Sequence, residues 1–217
     1  MRNLELNCYN NFINTNSIVY DIGAHIGETS LIFSKNGAKY IYAFEPSLFN
    51  FEKLKENTKH LNNIMVFDVA FFDKKVTCKT RFRDCTTDSS QDRKQEIKYV
   101  VIEDFISENK IQAPDFIKID IEGMESILLN TFKNTFESIR PIMYVEIHAN
   151  PKELKTQDYD NCPHWRWPED GGFDFNTLRD LNYSIIREGI GFLPSNTNWN
   201  PNPGDHVGYV LMPNEKI

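Results

Sequence analysis

Short apolar runs alternate with segments of helical periodicity along most of the chain. Runs rich in β-branched and aromatic residues predict buried strands, whereas apolar residues at i, i+3 and i+4 indicate amphipathic helices. The predicted strands are residues 17–21, 40–44, 64–67, 99–102, 115–120, 141–148, 183–187 and 206–212. Helical patterns cover residues 27–36, a segment capped by Ser47, and residues 103–109, 124–132 and 177–181.

This alternation predicts the fold class. Strands separated by helical patterns are typical of βαβ units, in which a mostly parallel sheet carries helices on both faces. No helical pattern separates 183–187 from 206–212, so we expect these last two strands to pair antiparallel at one edge. The chain is therefore predicted to be an α/β protein with a doubly wound, mostly parallel, Rossmann-like sheet. Ligands bind such sheets beyond the carboxyl ends of the strands, so the residues that follow each strand are the candidates for chemistry.

Three segments depart from the alternation. With 217 residues, the chain is expected to form a single domain, 1–217, in which 1–16 is an N-terminal extension. The polar, charge-rich segment 73–98 is interpreted as a surface insertion of short strands with a mobile tip. Residues 151–172 combine Pro, Gly, Trp and charged residues without periodicity, which predicts a substrate loop or lid.

Composition narrows the possible partners and the location. The chain has 24 Lys and Arg against 31 Asp and Glu, a net charge of -7, which argues against a nucleic-acid partner. No apolar run approaches the roughly 20 residues that span a bilayer, and the first residues lack the apolar core of a signal peptide. No C-x-x-C spacing occurs. We therefore expect a cytoplasmic protein with four reduced thiols. The cysteines are Cys8, Cys78, Cys85 and Cys162.

The first predicted strand ends in the turn Asp21-Ile22-Gly23-Ala24-His25-Ile26-Gly27. Gly23 allows a tight turn, Ala24 lets a ligand approach the backbone, and Gly27 permits close packing where the helix begins. His25 is expected to cap or line the turn. Ala24 stands where the dinucleotide fingerprint has its second glycine, and the carboxylate of Asp21 would repel a pyrophosphate. A cationic or zwitterionic ligand suits this turn better.

Glu45 follows the second predicted strand, about twenty residues after the turn, at the spacing of an acid that accepts both ribose hydroxyls. The turn and Glu45 together favour an adenosine-bearing cofactor without a pyrophosphate. S-adenosylmethionine fits this description because it has an ammonium, a carboxylate and a sulfonium at one end and an adenosine at the other.

The segments VYDIGAHIGETS, YAFEPS, VFDVAFFD, PDFIKIDIEGMESILL and PIMYVEIH resemble the FkbM family of S-adenosylmethionine-dependent methyltransferases. The resemblance covers about residues 17–148, and KIDIEGME is its most family-specific part. It implies the class I methyltransferase fold, with seven strands and the last one antiparallel. It also implies O-methylation of a hydroxyl on a sugar, glycan or natural-product acceptor.

The resemblance also implies roles for individual residues. The turn after the first strand would form the first cofactor motif, and Glu45 would hold the ribose. The segment Asp68-Val69-Ala70 would line the adenine, and Asp68 would accept a hydrogen bond from the adenine amino group. Asp120 would face the methionine end of the cofactor and the transferring methyl group. The residues placed at the cofactor are Asp21, Gly23, Ala24, His25, Gly27, Glu45, Pro46, Asp68, Val69, Ala70 and Asp120.

The candidate catalytic residues are Asp120, Glu122, Glu146 and His148, all near carboxyl ends of predicted strands. In one arrangement His148 or Glu146 removes the hydroxyl proton while Asp120 orients the substrate or the base. In the other, Asp120 and Glu146 hold Mg²⁺ with a further oxygen ligand. Both remain open, although we favour the first. Glu122 and Glu125 can equally be structural residues at the start of a helix.

Other functions remain open. A nicotinamide dehydrogenase would share the fold and Glu45, but the missing second glycine and the presence of Asp21 argue against it. A nucleic-acid or protein methyltransferase would share the cofactor. A catalytically silent protein that binds the cofactor would share every feature except turnover.

Overall fold

The computed structural model of the chain describes residues 3–81, 94–148, 175–193 and 206–217. The strands are β1 (Ile18–Ile22), β2 (Tyr40–Phe44), β3 (Ile64–Phe67), β4 (Ala70–Phe71), β5 (Val76–Arg81), β6 (Lys94–Val100), β7 (Phe116–Ile119), β8 (Ile142–His148), β9 (Tyr183–Arg187), β10 (Gly191–Phe192) and β11 (His206–Pro213). The helices are α1 (Asn3–Phe12), α2 (Glu28–Lys35), α3 (Leu48–Thr58), α4 (Ile102–Asn109), α5 (Glu125–Thr131), α6 (Lys133–Ile139) and α7 (Phe175–Asp180).

The main sheet has the strand order β10-β9-β11-β8-β7-β1-β2-β3. The five strands from β8 to β3 are parallel, and β11 lies antiparallel between β8 and β9. The predicted Rossmann-like sheet with an antiparallel last strand is therefore confirmed. The expected seven strands become eight because the two-residue β10 turns back to pair with β9 at the edge. A strand of two residues is too short to leave a periodic pattern in the sequence.

Helices pack on both faces of this sheet because side chains alternate along each strand. On one face Tyr9 of α1 and Phe33 of α2 join Phe116 of β7 in a buried cluster. On the other face α4, α5, α6 and α7 contribute to the larger cluster that contains Ile117 and Ile119 of β7. The segment expected to be an N-terminal extension thus contains a core helix, in which the Tyr9 side chain is fully buried.

The described parts of the segment 73–98, residues 73–81 and 94–98, contribute to a second sheet. β5 and β6 pair antiparallel, and β4 pairs parallel with β6. Of the strand predicted at 99–102, only Tyr99 and Val100 lie in a strand, at the end of β6 in this small sheet, and α4 begins at Ile102. Ile97 and Tyr99 are buried there against Phe72, which explains their strand-like pattern. The tip of the insertion and the predicted lid at 151–172 lie outside the described residues.

The cysteines correct one expectation. Cys8 is a buried free thiol whose pKa is raised by burial and by the neighbouring Glu5. Cys78 on β5 is disulfide-bonded, with its partner outside the described residues, so the expectation of four reduced thiols is wrong. Spacing along the chain cannot reveal a pairing that depends on how a segment folds. Disulfides are typical of oxidising compartments, and location in the cytoplasm stays a prediction.

The helices described here leave no candidate for a membrane span, because none combines the required length with sufficient hydropathy.

Candidate active site

The carboxyl ends of β8, β7, β1 and β2 lie side by side, because these four strands are parallel neighbours. The sheet therefore brings together the residues that follow each of them, as the sequence predicted. They are Gly23 after β1, Glu45 after β2, Asp120 after β7, and His148 at the end of β8.

The turn after β1 has three residues with left-handed backbone angles, namely Gly23 (φ 82°), His25 (φ 51°) and Gly27 (φ 93°). A Cβ atom on Gly23 would clash with the carbonyl oxygen of Asp120, so only glycine fits there. The backbone N–H groups of Gly23 and Ala24 both donate to the Phe44 carbonyl at 3.0 Å. The turn is thus fixed between the end of β2 and the residue that follows β7.

Ala24 combines a buried side chain with a backbone that lies in the turn. Its side chain is 2% exposed and packs with Ala43 and Leu54. A small side chain is therefore needed for packing beneath α3, and the methyl group faces the core. Only the backbone of Ala24 could approach a ligand.

Glu45 connects the turn to the end of β2. Its carboxylate is 4% exposed, and its two oxygens accept the backbone N–H groups of His25 and Ser47, each at 2.9 Å. Burial raises the pKa of Glu45 to about 7, although these hydrogen bonds oppose the shift. Each carboxylate oxygen can accept a second hydrogen bond, so the predicted contact with ribose hydroxyls is chemically possible. Pro46 follows Glu45 and precedes the N-cap of α3, Ser47.

The three residues predicted to line the adenine differ in their exposure to solvent. Asp68 is half-exposed, and its Oδ2 lies 3.0 Å from Nζ of Lys98. The Val69 side chain is buried in the main core, and Ala70 begins β4. Contact between the adenine amino group and Asp68 stays a prediction, while Val69 could offer only its backbone.

Asp21 already has a cationic partner within the protein. Lys118 lies opposite it in the β1–β7 register, and Nζ of Lys118 is 3.7 Å from Oδ1 of Asp21. The other oxygen, Oδ2, accepts a hydrogen bond from the Ser30 hydroxyl at 2.6 Å. The Asp21 side chain is fully buried, and its contact with a cationic ligand stays a prediction. Burial raises the pKa of Asp21, against the opposing effects of Lys118 and Ser30.

Lys118 is a residue that sequence reasoning missed. Its side chain is 4% exposed, and Nζ donates to the Gly23 carbonyl at 2.8 Å and lies 3.4 Å from Oδ2 of Asp120. Burial acts to lower the pKa of Lys118, but Asp120 and Asp21 outweigh it and raise the pKa. A lysine inside the apolar strand FIKI was the available signal, because a buried lysine is almost always paired.

His148 is at the centre of an acidic cluster. Its Nδ1 lies 3.1 Å from Oε1 of Glu125, while Nε2 lies 3.7 Å from Oδ1 of Asp120, 3.7 Å from Oε1 of Glu146 and 3.8 Å from Oε2 of Glu122. Burial acts to lower the pKa of His148, but Glu125 and the other carboxylates raise it to about 9. The structure thus brings all four predicted catalytic residues together.

Glu125 holds this cluster in place. It is the first residue of α5, and its side chain is 2% exposed. Besides contacting His148, its Oε1 accepts the backbone N–H groups of Ile121 at 3.2 Å and Gly123 at 2.9 Å. The chain turns here, since Glu122 has φ 56° and is exposed. Glu125, expected to be structural, therefore fixes both the loop after β7 and the imidazole of His148.

The residues present do not fit Mg²⁺. Ligand atoms of Asp120, Glu122 and His148 all lie within 4.8 Å of one another, which is close enough for a cation. However, Mg²⁺ prefers an octahedral set of oxygen ligands, and this set includes an imidazole nitrogen. Lys118 already provides a positive charge at Asp120. The predicted Mg²⁺ site at Asp120 and Glu146 is therefore not supported, since the group of ligand atoms found among the described residues contains His148 and Glu122 but lacks Glu146.

Comparisons with known proteins indicate the family of the chain. The model of the Methyltransferase FkbM domain matches residues 21–185. The hexuronic acid methyltransferase AglP of Haloferax volcanii is 24% identical over 149 residues, which cover 63% of this chain and 59% of AglP. The chain thus spans less than two thirds of this relative.

Solved structures share the fold. The methyltransferase FkbM of Methylobacillus flagellatus KT has a TM-score of 0.54 at 18% identity, over 91% of this chain and 44% of that one. An rRNA methylase of Streptococcus thermophilus has a TM-score of 0.54 at 8% identity, over 98% and 97% of the two chains. SMU.1697c of Streptococcus mutans, solved in complex with SAH (S-adenosylhomocysteine), has a TM-score of 0.50 at 10% identity, over 96% of each chain. Because the family model covers most of the chain, from β1 to β9, this protein belongs to the FkbM methyltransferase family.

Proposed function

We propose that the protein is an S-adenosylmethionine-dependent O-methyltransferase that acts on a hydroxyl group of a sugar or glycan. The observation that carries this proposal is the orientation of His148. Glu125 binds Nδ1, so Nε2 faces Asp120 and Glu146 beside the turn after β1. A base at this position lies beyond the carboxyl ends of the parallel strands, where ligands bind in sheets of this kind.

Cofactor binding is supported by the turn and by Glu45. Glu45 would hold the ribose, and the turn from Gly23 to Gly27 would receive the methionine part near Asp120. The first backbone N–H groups of α2 have no partner within the helix and favour a carboxylate. When bound, S-adenosylmethionine supplies a methyl group that is already activated by its sulfonium. The protein then has to orient the acceptor oxygen, which can contribute roughly 7–11 kcal/mol to catalysis.

His148 is the proposed general base. A carboxylate can only accept, so Nδ1–H donates a hydrogen bond to Glu125, and in the neutral ring Nε2 presents its lone pair. Because the pKa of His148 is about 9, the fraction of this neutral form increases as the pH rises toward 9. Nε2 accepts the hydroxyl proton while the oxygen–carbon bond forms and the carbon–sulfur bond breaks. Asp120 and Glu146 would orient the hydroxyl and stabilise the imidazolium that results. A base of this kind contributes typically 10²–10⁴-fold.

Charge around the base indicates the class of acceptor. Four carboxylates, from Asp120, Glu122, Glu125 and Glu146, are within 4 Å of the His148 ring nitrogens. An anionic group placed here would be repelled, whereas a neutral hydroxyl would be accepted. The similarity to AglP, which is named for a hexuronic acid, supports a sugar acceptor. We propose that the acceptor is an uncharged sugar hydroxyl.

The test is transfer of a labelled methyl group to neutral sugars and to matched uronic acids, with wild type and His148→Gln. We expect transfer to the hydroxyl of a neutral sugar, and we expect the substitution to reduce turnover at least about 100-fold while SAH binding is retained. Turnover that survives the substitution would contradict the role of His148. Transfer to the uronate alone would contradict the proposed acceptor.

A further inference from the structure

Lys118 connects the two loops where the methionine part of the cofactor is expected. It is the buried cation of β7, and its Nζ contacts three groups from two loops and a strand. These are the carbonyl of Gly23 at 2.8 Å, Oδ2 of Asp120 at 3.4 Å and Oδ1 of Asp21 at 3.7 Å. Gly23 and Asp120 also approach closely through their backbones, since a Cβ on Gly23 would meet the Asp120 carbonyl.

This position has two physical consequences. First, a single ammonium fixes the direction of the Gly23 carbonyl and the position of the Asp120 carboxylate, both next to the turn. Second, Lys118 offsets part of the negative charge of Asp21 and Asp120. Without it, two buried or half-buried carboxylates would face the carboxylate of an amino-acid ligand. With it, a zwitterion meets both an acceptor for its ammonium and a nearby positive charge.

The opposite end of the site has no direct contact with Lys118. The carboxylate of Glu45 is held by the N–H groups of His25 and Ser47, and Lys118 affects it only through longer-range charge. Removing Lys118 should therefore change one end of the cofactor site much more than the other.

We propose that Lys118 is a positioning residue for the methionine end of S-adenosylmethionine, acting through the Gly23 carbonyl and Asp120. This role rests on the cofactor assigned under the proposed function. Because Lys118 acts on the groups around the methionine end of the cofactor, we expect it to change cofactor binding.

The test compares two ligands that share the adenosine. SAH carries the amino-acid part, and 5′-methylthioadenosine lacks it. Lys118→Met alone would leave Asp21 buried without its cation and could fail to fold. The informative variant is therefore the double substitution Asp21→Asn with Lys118→Met, and its matched reference is Asp21→Asn. Circular dichroism checks that both are folded, and calorimetric titration gives the dissociation constants.

We expect the double variant to bind SAH at least about tenfold more weakly than the reference, as for loss of a charge-assisted contact. Affinity for 5′-methylthioadenosine should stay within about twofold. Equal losses for the two ligands, or an unchanged SAH affinity, would overturn the proposal and leave Lys118 a structural residue. If wild type bound neither ligand, the proposed cofactor itself would be wrong, and this outcome is distinguishable because it appears before any substitution.

Discussion

Oε1 of Glu125 lies 3.1 Å from Nδ1 of His148 and joins the start of α5 to the end of β8. The same oxygen accepts two backbone N–H groups of the loop that carries Asp120 and Glu122. One buried carboxylate therefore determines both the orientation of the candidate base and the position of its acidic neighbours.

Substituting Glu125 should change the pH dependence of the reaction. Glu125→Gln removes the charge that contributes most to raising the pKa of His148, so this pKa should fall from about 9 toward its ordinary value of 6.5. The pH profile of kcat/KM, which rises as His148 loses its proton, should then reach its plateau at lower pH. NMR titration of the His148 ring checks the same shift directly. A profile that does not move would show that Glu125 has no influence on the base.

The charge of His148 should also make folding stability depend on pH. Its pKa is higher in the folded protein than the ordinary value of 6.5, so protonated His148 stabilises the fold below pH 6.5. This contribution is lost as the pH rises from about 6.5 through about 9, and it amounts to at most about 3 kcal/mol. Urea unfolding of wild type and His148→Gln at about pH 6 and about pH 9.5 measures this contribution. If the difference in the free energy of unfolding between the two proteins is the same at both pH values, protonated His148 does not stabilise the fold.

Glu45→Ala should weaken binding of SAH and of 5′-methylthioadenosine alike, because both ligands carry the ribose. The expected loss is about 1–3 kcal/mol, as for a hydrogen bond to a charged group. The matched control is Glu52→Ala on α3, whose carboxylate is exposed and pairs with Lys55 at the surface. Calorimetric titration measures both variants, and unchanged affinity of Glu45→Ala would show that this acid does not hold the ribose.

Gly23→Ala should disrupt the site through its backbone. The residue has φ 82°, and an added Cβ would clash with the Asp120 carbonyl oxygen. Gly189→Ala is the control, because Gly189 has φ 76° but its Cβ would meet nothing within 4 Å. In thermal unfolding, Gly189→Ala should lower the free energy of unfolding by about 1–2 kcal/mol, from backbone conformation alone, and Gly23→Ala should lower it clearly more. Equal losses of stability would mean that the backbone at Asp120 can shift to accommodate the added Cβ.

Chelation should leave methyl transfer unaffected. The donor set around His148 does not suit Mg²⁺, so dialysis against EDTA should retain activity and added Mg²⁺ should not increase it. Loss of activity with EDTA and its recovery with Mg²⁺ would restore the metal arrangement and displace His148 as the base.

The residues that sequence reasoning found are those that follow strands. Gly23, Glu45, Asp120 and His148 could be placed at one edge because parallel strands present their carboxyl ends together. Lys118 and Glu125 could not be placed in this way. The role of Lys118 depends on the β1–β7 register, and that of Glu125 on the approach of α5 to β8. Neither relationship is encoded in local periodicity.

Two further features depend on neighbouring strands. The strand-like pattern at 99–102 reflects burial, but local pattern cannot say which sheet a strand joins. Asp21 is paired with Lys118, because a carboxylate at a strand end can be neutralised from the neighbouring strand.

Titration of the purified wild-type protein with SAH and NAD in parallel distinguishes the two classes of cofactor. We expect SAH to bind, because Glu45 and the turn after β1 suit an adenosine without a pyrophosphate, and we expect NAD not to bind. Binding of NAD without SAH would contradict the methyltransferase assignment and would make this a nucleotide-binding protein of another class.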